Sequence, residues 1–83
     1  MQNNGPILPL KLYIKETLAK YFEKIDGAPI TNLHRMFIEE VEAPLLQSVM
    51  EYVGANQSKA ASILGINRIT LRKKLINYNL LRD

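Results

Sequence analysis

No part of this chain constrains its fold more than Asn56-Gln57-Ser58-Lys59-Ala60-Ala61-Ser62-Ile63-Leu64-Gly65-Ile66-Asn67-Arg68-Ile69-Thr70-Leu71-Arg72-Lys73-Lys74-Leu75. The stretch reads as two short helices joined by a tight turn. Asn56 supplies an N-cap whose side chain accepts otherwise unpaired backbone N–H groups. Ala60, Ala61, Ile63 and Leu64 form an apolar stripe at helical spacing. Gly65 allows the positive φ of a chain reversal at little cost. Ile66 is placed to plug the corner, and Asn67 offers a second N-cap. Small alanines, a glycine four residues after Ala61 and a cap two residues later make the pattern of a helix-turn-helix.

The faces of the second short helix follow from roughly 100° of rotation per residue. Leu71, Leu75 and Tyr78 fall within about 60° of one another and must face the core. Ile69, Lys73, Ile76 and Asn77 lie on the opposite side, flanked by Thr70 and Arg72. Asn67 and Arg68 stand at the N-terminal end, where a recognition helix meets base edges. Arginine pairs in bidentate fashion with guanine O6 and N7, and asparagine also reads base edges. Asn56, Ser58, Lys59, Thr70, Arg72, Lys73 and Lys74 are expected to hold phosphates, helped by backbone N–H groups at both helix starts. The plain alternative is a basic helix that merely faces water.

Charge is distributed in a way that fits the first reading. Residues 1–54 carry five cations (Lys11, Lys15, Lys20, Lys24, Arg35) against seven anions (Glu16, Glu23, Asp26, Glu39, Glu40, Glu42, Glu51), a net of −2. Residues 55–83 carry six (Lys59, Arg68, Arg72, Lys73, Lys74, Arg82) against Asp83 alone, a net of +5. A basic end on an acidic body is the polarity expected of a chain that docks one end on a polyanion.

With 83 residues the chain makes one small domain, at a size where a lone core is marginal. Dimerisation is a natural remedy. Cysteine is absent, which excludes disulfides and thiolate metal sites, and a single histidine is too few for a His-rich site. No apolar run approaches the roughly 20 residues of a membrane span, and the N-terminus has no signal-peptide pattern. The expectation is a soluble, cytoplasmic protein with no cofactor, no metal and no small-molecule substrate. Glu39, Glu40 and Glu42 read as a solvated helix face rather than a catalytic pair. Ser58, Ser62 and Thr70 have no histidine partner for nucleophilic activation. His34, near a helix start, either packs or faces water. An enzyme is the weakest reading.

Taken in order, residues 1–9 read as a mobile tail punctuated by Gly5-Pro6 and Pro9. A first helix is expected from about Leu10, its apolar face made by Leu10, Ile14, Leu18, Tyr21, Phe22 and Ile25. Asp26-Gly27 ends it and Pro29 forbids continuation. A long second helix follows, capped by Thr31 or Asn32. Leu33, Met36, Phe37, Val41, Leu45, Val49, Tyr52 and Val53 mark its stripe, and 22 residues would extend roughly 33 Å. Pro44 removes the N–H that would bond the Glu40 carbonyl, so a kink is expected, or two separate helices. Leu46 and Met50 widen the apolar surface, which suggests burial on two sides, against the first helix and against a partner. Gly54-Ala55 breaks the helix. The organisation expected is a tail (1–9), a helical dimerisation core (10–54) and a helix-turn-helix unit (55–83), all one structural domain.

Asn56-Gln57-Ser58-Lys59-Ala60-Ala61, Gly65-Ile66-Asn67-Arg68 and Thr70-Leu71-Arg72-Lys73-Lys74-Leu75 closely resemble the DNA-binding end of the Fis family, bacterial nucleoid-associated factors for inversion stimulation. The resemblance continues through Glu40-Val41-Glu42-Ala43-Pro44-Leu45-Leu46 and Leu18-Ala19-Lys20-Tyr21-Phe22, and so covers about Leu10 to Leu80. It implies an all-α, four-helix chain that forms a homodimer with interlaced first and second helices, a kink at Pro44 and two protruding DNA-reading heads. Leu33, Phe37, Val41, Leu45 and Val49 would line the dimer core. Fis recognition helices sit closer together than one DNA turn, so the implied partner is a bent duplex, read partly through its deformability. The implied role is transcription regulation in the bacterial nucleoid.

The sequence departs from the family pattern at several positions. Ile69 stands where glycine is usual, on the groove-facing side. Ile76 and Asn77 replace common lysines, and Gly54 replaces an arginine that reaches flanking DNA. The family's longer N-terminal arm, which contacts DNA invertases, is represented by only a few residues. The same terminal motif closes many bacterial enhancer-binding activators, so an excised domain of one is an alternative, against which Met1 argues as a natural start. The alternative of a different class is a helical dimerisation module whose basic end binds protein.

Overall fold

A computed structural model describes residues 8–81, which form four helices and, among the described residues, no strand. These are α1 (Leu8–Ile25), α2 (Leu33–Tyr52), α3 (Gln57–Leu64) and α4 (Arg68–Asn77). The chain through Thr31 and the chain from Asn32 make two compact units. The expected mobility of residues 1–7, and the matter of an arm there, lie outside the described residues.

In the first unit α1 begins at Leu8, two residues before the expected start. Pro9 therefore sits in the first helical turn, where its missing N–H would have no intrahelical partner anyway. Ile14, Leu18, Tyr21 and Ile25, spaced by four, three and four, are the half-buried face, while Leu10 and Phe22 of the expected stripe are exposed. The Tyr21 and Phe22 rings meet at 5.8 Å in a tilted arrangement. Asp26 and Gly27 end the helix in left-handed conformations, with φ of 53° and 84°.

In the second unit α2 runs unbroken through Pro44 for 20 residues, which removes the two-helix alternative. Asn32 occupies its N-cap position but differently from expectation. It is left-handed (φ 59°) and its side chain makes no cap bond; only its carbonyl joins the helix, accepting from the Met36 N–H at 3.0 Å. Along α2 the apolar residues divide. Leu46 is wholly buried and Val49, Met50 and Val53 pack around it, whereas Ile38, Val41, Leu45 and Tyr52 stay exposed.

The core is the cluster Leu46, Ala60, Ala61, Leu71 and Leu75, each buried, surrounded by Leu64, Ile66, Tyr78, Leu80 and Leu81. Leu46 and Met50, expected to serve the first helix and a partner, instead belong to this core. The reason is angular: Leu46, Val49, Met50 and Val53 share one α2 face, and α3 presents two alanines to it. Small side chains let helices approach closely, so a leucine from each neighbour fills the space at interior density. Ile63, expected in the α3 stripe, is 55% exposed, because the Ala60-Ala61-Leu64 arc already covers the buried face.

Three of the four helices end in the same Schellman geometry. After α2 the Gly54 and Ala55 N–H groups return to the carbonyls of Glu51 (3.3 Å) and Met50 (2.9 Å). After α3 Gly65 and Ile66 return to Ser62 (3.2 Å) and Ala61 (3.1 Å), and after α4 Asn79 and Leu80 return to Ile76 (3.0 Å) and Leu75 (2.8 Å). The motif satisfies the terminal carbonyls and turns the next apolar residue, Ile66 or Leu80, back onto the core.

Ala55 follows Gly54 in the left-handed region as well, at φ 68°. A left-handed residue with a Cβ costs roughly 1–2 kcal/mol, less what glycine loses by freeing the unfolded chain. Ala55→Gly is therefore expected to be stabilising or neutral. Gly65→Ala should cost about 1 kcal/mol or more, a purely backbone effect, since a Cβ there meets nothing within 4 Å. Urea titrations of the two variants check this. A Gly65→Ala chain as stable as the parent would contradict the left-handed turn.

Candidate nucleic-acid interface

The second unit places the first turns of α3 and α4 side by side. Asn56 caps α3, its Oδ1 accepting from the Lys59 N–H at 3.0 Å, and Asn67 caps α4, its Oδ1 accepting from the Ile69 N–H at 2.7 Å. Both caps expected from sequence are present. Their consequence is that each asparagine has its carbonyl oxygen engaged and only its amide N–H₂ free to donate.

Arg68, the first residue of α4, donates from Nη1 to Ser58 Oγ, in the first turn of α3, at 3.2 Å. This bond holds the guanidinium beside the α3 N-terminus with most of its donors uncommitted. Ser58 retains its hydroxyl proton for an acceptor outside. Ser58, Lys59, Asn67, Arg68, Ile69, Thr70, Arg72 and Lys73 are all exposed, and Leu71 and Leu75 are buried behind them. Neither α3 nor α4 has an acidic residue in its first turn, and residues 57–77 contain none at all. Two positive helix-dipole ends and uncompensated cations thus share one surface, the arrangement that attracts polyanions.

Lys74 does not belong to that surface. Its Nζ lies 3.1 Å from Glu42 Oε2 and 3.2 Å from Oε1, with its side chain only 34% exposed. Tyr78, the expected core-facing residue, is half-buried against the core and donates its hydroxyl to Glu42 Oε1 at 2.7 Å. Glu42 is therefore not a solvated carboxylate but a brace between α2 and the C-terminal end of α4. Sequence reasoning missed the brace because it joins positions 32 and 36 residues apart. The other two glutamates behave as expected: both are exposed, and Glu39 makes a loose pair with Arg35 at 4.0 Å.

The electrostatics of the brace follow from its geometry. The hydrogen bond from Tyr78, against some desolvation and aided by Lys74, holds the Glu42 carboxyl below its ordinary 4.5. The same bond, with burial and the charges of Glu42 and Glu39, pushes the Tyr78 hydroxyl up to about 12. His34 is exposed, and no group of side chains that could hold a metal ion occurs among the described residues. No helix among them is long and apolar enough to cross a membrane.

Residues 37–78 match the profile of the family "Bacterial regulatory protein, Fis family". A Fis-like DNA-binding protein of Pseudomonas aeruginosa is 50% identical over 68 residues, which are 82% of this chain and 65% of that protein. The DNA-binding protein Fis of Actinobacillus succinogenes is 46% identical over 72 residues, 87% of this chain and 73% of that protein. The DNA-binding protein Fis of Proteus mirabilis is 44% identical over 72 residues, 87% of this chain and 74% of that one. The matched span begins within α2 and ends at Tyr78, so it takes in the whole of the brace and the core.

Because the folded Glu42 carboxyl is more acidic than in the unfolded chain, its contribution is present above the ordinary carboxylate range and lost as pH falls through its lower folded value. Tyr78→Phe keeps the ring against the core and removes the hydroxyl. The variant should melt below the parent at about pH 7, and the gap should narrow towards about pH 3 as Glu42 protonates. Circular-dichroism melts at both values check this, and a gap independent of pH would contradict the brace.

Proposed function

The chain belongs to the Fis family of bacterial regulatory proteins, and we propose that it acts as a homodimeric DNA-binding and DNA-bending protein of the bacterial nucleoid that regulates transcription. The observation that carries the reading is the single exposed face on which Ser58, Lys59, Arg68, Thr70, Arg72 and Lys73 surround two helix N-termini with no acidic residue between positions 57 and 77. Such a face complements a phosphate backbone. In this reading Arg68 and the Asn67 amide donate to base edges, while Asn56, Ser58, Lys59, Thr70, Arg72 and Lys73 position the duplex by its phosphates. Lys74, occupied by Glu42, serves the fold.

The homodimer is supported by what a single copy leaves uncovered. Ile38, Val41 and Leu45 on α2, and Leu12 and Tyr13 on α1, expose between 38% and 66% of their surface. Leu33 and Phe37 are half-buried, and Val49 packs on the copy's own core. A second copy would cover the exposed positions at about 25 cal/mol for each Å² of apolar surface. Bending of the duplex and control of transcription rest on the family alone.

Two outcomes follow. Lys59, Arg72 and Lys73 from two copies make six phosphate contacts, so log K should fall against log salt with a slope of roughly −5. Fluorescence anisotropy on a random-sequence duplex measures it, and a slope near zero would reject the DNA reading. Arg68→Ala should cost about 1–3 kcal/mol at a selected site and flatten discrimination between sites. Equal losses on selected and random duplex would reduce Arg68 to a phosphate contact.

A further inference from the structure

Ile69 has no function in the fold. It is the second residue of α4, 65% exposed, and it lies on the side opposite the buried Leu71 and Leu75. Its neighbours on that side are exposed Arg68, Arg72 and Lys73. We infer that Ile69 is a specificity-determining residue that packs on the C5-methyl group of a thymine in the major groove. The inference rests on the DNA-binding reading above and adds to it an apolar term of sequence choice.

A surface free of acidic residues and rich in cations selects a polyanion, and on duplex DNA the surfaces it meets first are phosphates and base edges. Among the base edges exposed in the major groove the apolar group is the thymine methyl, whereas the other edges offer donors and acceptors. An isoleucine pressed on those polar edges would strip them of water without returning a hydrogen bond. Pressed on a methyl it gains buried area. The side chain is also set in advance. Its backbone N–H is held by Asn67 Oδ1 at 2.7 Å, and a β-branched residue in a helix has one strongly preferred χ1. Little freedom is lost on contact. Its place next to Arg68 puts an apolar reader one residue from a polar one.

The test isolates one methyl group. A duplex is first selected from random sequence with the parent chain, and each thymine is then replaced singly by deoxyuridine, which lacks only that methyl. Affinities of the parent and of Ile69→Ala are measured on every duplex by gel shift, with circular dichroism confirming that the exposed substitution leaves the fold intact. At one thymine position the parent should lose about three- to tenfold on methyl removal, and Ile69→Ala should lose nothing further there. Replacing that thymine by 5-methylcytosine paired with guanine should retain more affinity than plain cytosine. Insensitivity of the parent to every deoxyuridine, or an equal loss in Ile69→Ala, overturns the assignment and leaves DNA binding standing. Failure of the parent to bind any duplex overturns the DNA reading and this inference together.

Discussion

The burial of Leu46 against Ala60, Ala61, Leu71 and Leu75 is the interaction on which the rest depends. Two short helices of 8 and 10 residues are too brief to persist alone, since isolated helices under about 12–15 residues are marginal in water. The C-terminal half of α2 supplies the third wall that makes them a packed head. Alanine pairs on α3 set how near that wall comes, and leucines from α2 and α4 fill what is left. Full burial of one leucine is worth about 1.5–3 kcal/mol, a large share of the stability of a head this small.

That packing has a direction. The caps at Asn56 and Asn67 and the left-handed turn at Gly65 bring two helix N-termini to one surface, while the C-terminal ends are closed by Schellman bonds and by the Glu42 brace. Negative partial charge at the end of α4 is thus faced by Lys74, and positive partial charge at the starts of α3 and α4 is left open. The anion-seeking side of the head is a product of where the helices begin. Added cations then raise its field.

Much of this was legible in the sequence because it is local. The two asparagine caps, the glycine reversal and the Leu71-Leu75-Tyr78 face depend on residues no more than four positions from the next, and all appear where the spacing places them. α1 begins two residues before the start that spacing predicts, because Pro9 serves as a first-turn residue rather than as a boundary. Leu46 and Ile63 lie in other surroundings than spacing predicts, since an apolar residue on a helix does not announce which neighbour covers it. Spacing gives Tyr78 as the core-facing residue that it is, but it gives no sign of the bonds that join Tyr78 and Lys74 to Glu42. Only the crossing of α2 with α4 makes them one cluster, and no periodicity carries that pairing. Of the cations from Lys59 to Lys74, Lys74 alone is drawn into an ion pair among the described residues, with a partner too distant in sequence for spacing to reveal.

In the proposed complex this head meets a duplex with the starts of α3 and α4 and not with its C-terminal end. A titration of the uniformly ¹⁵N-labelled chain with duplex DNA, followed by amide chemical shifts, tests it most directly. The account predicts that Ser58, Lys59 and Asn67 to Lys73 shift most, with Leu46, Glu42 and Tyr78 little changed. Shifts concentrated around Glu42, Lys74 and Tyr78, or none on α3 and α4, would contradict it.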